Sequence, residues 1–107
     1  MVRFRNEHLA WEEGKCNSFL SSPQYLEYCP WGIHKGSGVE LVCGLLGIEL
    51  QNSYAAGDEE NDISMLKAAG TGIAMKNATE KVKKSADKIT EFDNDCDGVA
   101  HIIDQYF

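Results

Sequence analysis

The sequence predicts an α/β domain built on a parallel sheet with crossover helices, and three observations predict it. From residue 32 onward, short apolar runs alternate with segments of helical period. The links between them are short and marked by glycine, asparagine and aspartate. One apolar run, Tyr54-Ala55-Ala56-Gly57, passes at once into Asp58-Glu59-Glu60-Asn61-Asp62. That arrangement sets acidic groups at the carboxyl end of a buried strand, where open α/β sheets bind their ligands.

Each element has its own signal. A helix is predicted over 36–46, with Val39, Val42, Cys43 and Leu46 at i, i+3, i+4 and i+7 as its inward face, closed by Gly47. A short strand follows over 52–57, then a helix over 60–69 with Ile63, Leu66 and Ala69 or Gly70 turned inward. A strand over 71–75 comes next. Asn77 with Glu80 three residues on reads as the capping box of a helix running to residue 85. A brief strand over 87–90 precedes a last helix, whose Val99, Ile102, Ile103 and Tyr106 repeat the helical spacing. Met65 and Met75 are expected in the core. Residues 1–31 differ: 17–22 and 25–29 read as two strands joined at Ser22-Pro23, while Leu9, Trp11 and Phe19 show no sustained period. This segment looks like the tail of another structural unit.

Composition excludes several classes. With 107 residues there is room for one core. A net charge of -7 argues against a nucleic-acid surface, which needs clustered Lys and Arg. No apolar run approaches the roughly 20 residues needed to span a bilayer. Basic Met1-Val2-Arg3-Phe4-Arg5 is followed by polar residues rather than a signal-peptide core. Cys16, Cys29, Cys43 and Cys96 form no C-x-x-C pair, and their spacing fits buried free thiols in a reducing cytosol better than disulfides. A cytoplasmic protein is expected.

Taken together, 25–30 (Tyr-Leu-Glu-Tyr-Cys-Pro), 32–36 (Gly-Ile-His-Lys-Gly), 57–66 (Gly-Asp-Glu-Glu-Asn-Asp-Ile-Ser-Met-Leu), 68–70, 72–75, Asn77-Ala78, Ala86-Asp87 and Asp97-Gly98-Val99-Ala100 form one pattern. Over 18–107 it resembles the C-terminal portion of the haloacid dehalogenase (HAD) superfamily, specifically the Cof-type sugar-phosphate phosphatases. The resemblance implies a partial Rossmann-like, HAD-like parallel sheet with flanking helices. Residues 1–31 would be a remnant of cap-domain strands and 32–107 the C-terminal half of the core domain. It implies phosphomonoester hydrolysis by in-line attack, with an aspartyl-phosphate intermediate that water hydrolyses. Lys35 would be the catalytic lysine, screening the nucleophile and binding phosphoryl oxygens. Asp58 would ligate Mg²⁺ directly, Asp62 directly or through water, and Asn61 would hydrogen-bond near the phosphate. A cation and a lysine are needed because a carboxylate attacking an anionic phosphate is otherwise repelled.

The family's nucleophile motif, Asp-x-Asp-Gly-Thr, has no counterpart before Lys35, and residues 1–34 contain no aspartate. The expectation is a C-terminal fragment, inactive as an isolated chain. The strand ending at Gly57 would keep an unpaired edge, to be covered by a second copy or a partner chain. Asp95-Cys96-Asp97-Gly98-Val99 imitates the nucleophile motif, but the preceding Glu91-Phe92-Asp93-Asn94 is too polar for a buried strand. Asp93, Asp95, Asp97 and Gly98 also fit part of an EF-hand loop, yet Asp104 stands where a bidentate Glu belongs. A small Ca²⁺-binding protein is therefore the weakest alternative, and a non-catalytic relic or interaction module the stronger one. Remaining features read as structural: His8, His34 and His101 as incidental, Lys81, Lys83 and Lys84 as a solvated face, and Trp31 as packing beside Lys35. Asp58 as a plain helix N-cap is the alternative to its metal role.

Overall fold

The structure, a computed structural model, describes residues 2–22, 24–92 and 97–107. It opens with a helix, α1 (Val2–Glu12), where no helix was expected. The reason is legible in its contacts. Phe4, Leu9 and Trp11 are about half exposed, so no apolar stripe marks the helix. The buried side chains are instead charged: Glu12 is 3% exposed and accepts a hydrogen bond from Ser18 Oγ at 2.6 Å. Local pairs add support, with Arg3 bonded to Glu7 one turn on and the Phe4 and His8 rings stacked.

The two expected strands follow as an antiparallel hairpin, β1 (Cys16–Ser22) and β2 (Tyr25–Pro30), with Phe19 opposite Glu27. Cys16, Cys29 and Cys43 are free thiols among the described residues, but only Cys43 is buried as expected, Cys16 and Cys29 being half-buried on the hairpin.

Helix α2 (Lys35–Leu46) is capped at both ends. His34 is not incidental: its Nδ1 accepts from the Ser37 amide at 3.1 Å, while the Ser37 hydroxyl accepts from the His34 amide at 3.0 Å. Gly47 closes the helix in the left-handed region (φ 67, ψ 28), as its sequence position predicts. An alanine there adopts that conformation at a cost of about 1–2 kcal/mol. Thermal unfolding of Gly47→Ala is expected to show a loss of this order, and an unchanged midpoint would count against it. The predicted inward face is only partly right. Cys43 is buried, but Val42 and Leu46 are 54% and 67% exposed. The helix turns Gly36 and Cys43 inward and leaves Leu41, Val42, Leu45 and Leu46 uncovered.

The sheet is parallel, with strand order β3 (Tyr54–Gly57), β4 (Thr71–Ala74), β5 (Lys88–Ile89). Among the described residues β3 pairs with β4 alone. The strand predicted to begin at residue 52 begins at 54, because Leu50–Asn52 forms a 3₁₀ turn. The helix predicted over 60–69 is divided: Glu60–Asp62 is a 3₁₀ turn and α3 is Ile63–Ala68. Helix α4 (Glu80–Lys84) has Thr79 rather than Asn77 at its N-cap position, with no side-chain cap bond. Helix α5 (Gly98–Tyr106) buries Ile102, while Val99 and Ile103 remain about half exposed.

Two apolar clusters hold the layers. Ala55, Leu66, Ala69, Ala74, Ala78 and Val82 join the sheet to α3 and α4. Ile73, Met75 and Ile102 join it to α5, with Tyr106 packed against them. Alanines on β3 and β4 bring α3 close to the sheet, which fixes where the turn after β3 lies. Asp93, Asp95 and Cys96, invoked in the EF-hand and relocated-nucleophile readings, lie outside the described residues. No described helix is long and apolar enough to cross a membrane.

Candidate functional site

The site forms where β3 ends and two helices begin. Gly57 is required there by space: a Cβ on it would lie 2.5 Å from the Asp62 Cβ. The chain turns through Glu59, whose amide bonds back to the Asp62 side chain while its carbonyl oxygen accepts the Asp62 amide at 3.0 Å. Asp62, not Asp58, therefore organises the turn. Its Oδ2 accepts the amides of Asp58 at 3.0 Å and Glu59 at 3.2 Å. Asp58 as a helix N-cap is thereby set aside, since the capping position belongs to Glu59.

Lys35 reaches this turn because α2 begins against the start of α3. A Cβ on Gly36 would lie 2.6 Å from the Ser64 carbonyl oxygen, and the Gly36 amide donates to Ser64 Oγ at 3.0 Å. The approach seats the Lys35 ammonium on Asp62 Oδ1. The pair is asymmetric: Lys35 is 49% exposed and the Asp62 side chain 8%. Buried carboxylate, two backbone donors and one ammonium form a compensated set.

Asp58 extends from the end of β3 and accepts from Asn77 Nδ2 at 3.2 Å. Asn77 stands in the loop after β4, so neighbouring strand ends both contribute, as expected at the carboxyl edge of a parallel sheet. Asn61 is half-buried in the same turn and lines a cleft with Arg5, His34 and Ser64. Lys35, Asp58, Asn61 and Asp62 are thus gathered around one turn.

Glu60, which the sequence reading passed over, ties that turn to the hairpin unit. Its carboxylate accepts from Arg5 Nη1 at 2.5 Å, Lys81 Nζ at 2.8 Å and the Leu20 amide at 3.0 Å. Burial raises its pKa, but the bonds from Arg5, Lys81 and Leu20 outweigh burial and bring it down to about 2. Lys81 is therefore an ion-pair partner rather than part of a purely solvated face. Arg5 sits 55 positions from Glu60, so no local spacing signals the contact. Trp31 is 54% exposed rather than packed, and lies beside Glu12 and Asn17 in a separate cleft.

Among the described residues no group of three or more His, Cys, Asp or Glu side chains is placed to hold a metal. Two carboxylates at one strand end still suit Mg²⁺, which takes one or two carboxylates together with phosphate and water. Asp58, which accepts from the Asn77 amide, and Asp62, whose oxygens accept from Lys35 and two backbone amides, are the carboxylates that could hold such an ion.

Comparison with known proteins agrees with this fold. The family profile of haloacid dehalogenase-like hydrolases matches residues 3–103. The 5-amino-6-(5-phospho-D-ribitylamino)uracil phosphatase YcsE of Bacillus subtilis is 44% identical over 103 residues, covering 92% of this chain and 40% of that protein. The chloroplastic endoribonuclease YBEY of Arabidopsis thaliana is 40% identical over 99 residues, covering 90% of this chain but 17% of that protein. A solved haloacid dehalogenase-like hydrolase from B. subtilis superposes with a TM-score of 0.88 at 33% identity, over 99% of this chain and 37% of that one. The chain thus spans less than half the length of these relatives. Fold and family profile agree, and this chain belongs to the haloacid dehalogenase-like hydrolase family.

Proposed function

We propose that this chain carries the lysine-and-acid half of a Mg²⁺-dependent phosphomonoester hydrolase site, acting on a phosphorylated small molecule of the sugar-phosphate class. The observation that carries the reading is the seating of Lys35 on Asp62 within the turn that also presents Asp58 and Asn61. In this reading Asp58 and Asp62 hold Mg²⁺, which supplies charge neutralisation to the phosphoryl group. Lys35 shares its ammonium between Asp62 and a phosphoryl oxygen, and its half-exposed position allows that. Asn61 hydrogen-bonds the ester side of the phosphate. Asn77 keeps the Asp58 carboxylate oriented. The phosphatase activity of YcsE supports the substrate class.

The absence of aspartate from residues 1–34 supports the further reading that this chain binds without turning over on its own. The edge of β3 that no described residue pairs, with the uncovered leucines of α2, supports a second copy or a partner chain as the completing element. The alternative, a non-catalytic module that keeps only a weak site, is favoured by the same missing aspartate.

Two measurements test the proposal. Inorganic phosphate is expected to bind in the presence of Mg²⁺, followed by amide shifts at residues 57–62, and binding is expected to fall at least tenfold in Lys35→Ala and in Asp58→Ala (roughly the worth of one charge-assisted contact). para-Nitrophenyl phosphate is expected to show no turnover by the chain alone. Phosphate binding that is absent, or indifferent to Mg²⁺ and to both substitutions, overturns the site.

A further inference from the structure

We propose that the aromatic cleft between α1 and the hairpin binds an organic cation of the quaternary ammonium class. The site is independent of the phosphatase reading, since no residue of the acidic turn lines it. Phe4, His8 and Trp11 stand at i, i+4 and i+7 of α1 and share one side of the helix. Tyr28 and Cys16 meet them from the hairpin. Tyr28 pairs with Ser18, whose hydroxyl bonds Glu12 of α1, so this side of the hairpin is turned toward the helix. The five side chains line a cleft of about 590 Å³, a volume typical of small-molecule sites. Phe4, Trp11 and Tyr28 are each about half exposed, so a ligand can reach their rings.

The rings give the first reason. An aromatic face carries the negative part of its quadrupole and attracts a cation without any hydrogen bond. Phe4 and His8 stack with centroids 4.2 Å apart and make one wall, and Trp11 and Tyr28 add two rings of the types that hold cations well. Trp11 already shows the attraction within the chain, because the Lys15 ammonium lies 4.7 Å from its ring centroid. Lys15 does not line the cleft, and no Lys, Arg, Asp or Glu does.

Charge behind the wall gives the second. Glu12 is 3% exposed, and among the described residues no cation pairs with it. It acts through its field rather than by contact, since its oxygens are covered and one is bonded to Ser18. A buried charge is screened far less than the exposed charges nearby, which are Lys15 and the mutually paired Arg3 and Glu7. Desolvation, and after it the Glu12 charge, pushes the Tyr28 hydroxyl above its ordinary value, so that field reaches the cleft wall. The kind of cation follows from the lining. A primary ammonium has three donors to satisfy, and the side chains here offer few acceptors beyond the Tyr28 hydroxyl and His8 Nε2. A quaternary ammonium has no donor to satisfy and keeps its charge, which fits rings in front of a carboxylate.

The test compares choline with 3,3-dimethylbutan-1-ol, which has the same shape but a neutral carbon in place of the charged nitrogen. Each is titrated into the full chain at constant ionic strength, and the amide and indole N–H shifts are followed. The expected result is binding of choline about fivefold tighter than the alcohol, the scale of a partly desolvated cation–π contact. The shifts are expected at residues 4–16, Tyr28 and the Trp11 indole. Trp11→Leu, at a residue 60% exposed, is expected to bring the ratio close to one without unfolding the chain. Trp31→Phe, outside this cleft, is expected to leave the ratio unchanged. Equal affinity for the two compounds overturns the proposal, as does the absence of choline binding. A ratio that survives Trp11→Leu, or that is lost in Trp31→Phe, overturns it as well.

Discussion

Urea denaturation of Asp62→Ala is expected to show a loss of about 2–4 kcal/mol, a large fraction of the stability of a domain this size. The side chain is 8% exposed and has both oxygens engaged, one by Lys35 and one by the amides of Asp58 and Glu59. Truncation removes the acceptor that both amides share. It also removes the partner of Lys35, and it opens a gap against Gly57, whose missing side chain exists to admit Asp62. Lys35→Met should cost less, about 1–2 kcal/mol, because a half-exposed ammonium contributes weakly and the Asp62 carboxylate keeps its two amide donors. The order of the two variants is the content of the prediction. If Lys35→Met proves the more damaging, the turn is held by the ion pair and not by the carboxylate's bonds to backbone. Because Asp58 and Asn61 are carried on the same turn, Asp62→Ala should also abolish Mg²⁺-dependent phosphate binding even where the chain remains folded.

What could be read in the sequence follows from where each signal resides. The parallel sheet was legible because β3 and β4 are short apolar runs and because the segments between them keep helical period. Lys35, Asp58, Asn61 and Asp62 were legible as a set because their types and order form a pattern. Their convergence depends on Gly36 and Gly57, two close approaches that only coordinates reveal. Helix α1 was missed for the opposite reason. Its inward positions carry Arg5 and Glu12, so the burial pattern is inverted and a search for apolar period finds nothing. The expected face of α2 failed at Val42 and Leu46 because the period of a helix says which residues share a face and not whether anything covers it. Asn77 fitted a capping box in sequence, but the helix begins at Glu80 with Thr79 at the cap, and Asn77 instead donates to Asp58, 19 positions away.

Glu60 offers the second large effect and a pH signature of its own. Glu60→Gln is expected to lose about 1–2 kcal/mol at neutral pH, less than the full pKa displacement implies because Lys81 is exposed and its share is screened. The folded protein holds the Glu60 carboxyl near 2, below the ordinary 4.5 of the unfolded chain. Folding therefore excludes a proton, and the stabilisation is fully present above about 4.5 and disappears as pH falls toward about 2. Other carboxylates titrate in the same range, so the parent's own acid transition does not isolate this group. The difference between parent and Glu60→Gln does, and it should be constant from neutral pH to about 5 and shrink toward zero near pH 2. Amide exchange at Leu20 should accelerate in the variant, since a neutral carboxamide is a weaker acceptor for that N–H. A difference that stays level down to pH 2 would mean that the loss comes from altered packing. In that case Glu60 would not be the electrostatic tie that holds α1 and β1 over the acidic turn.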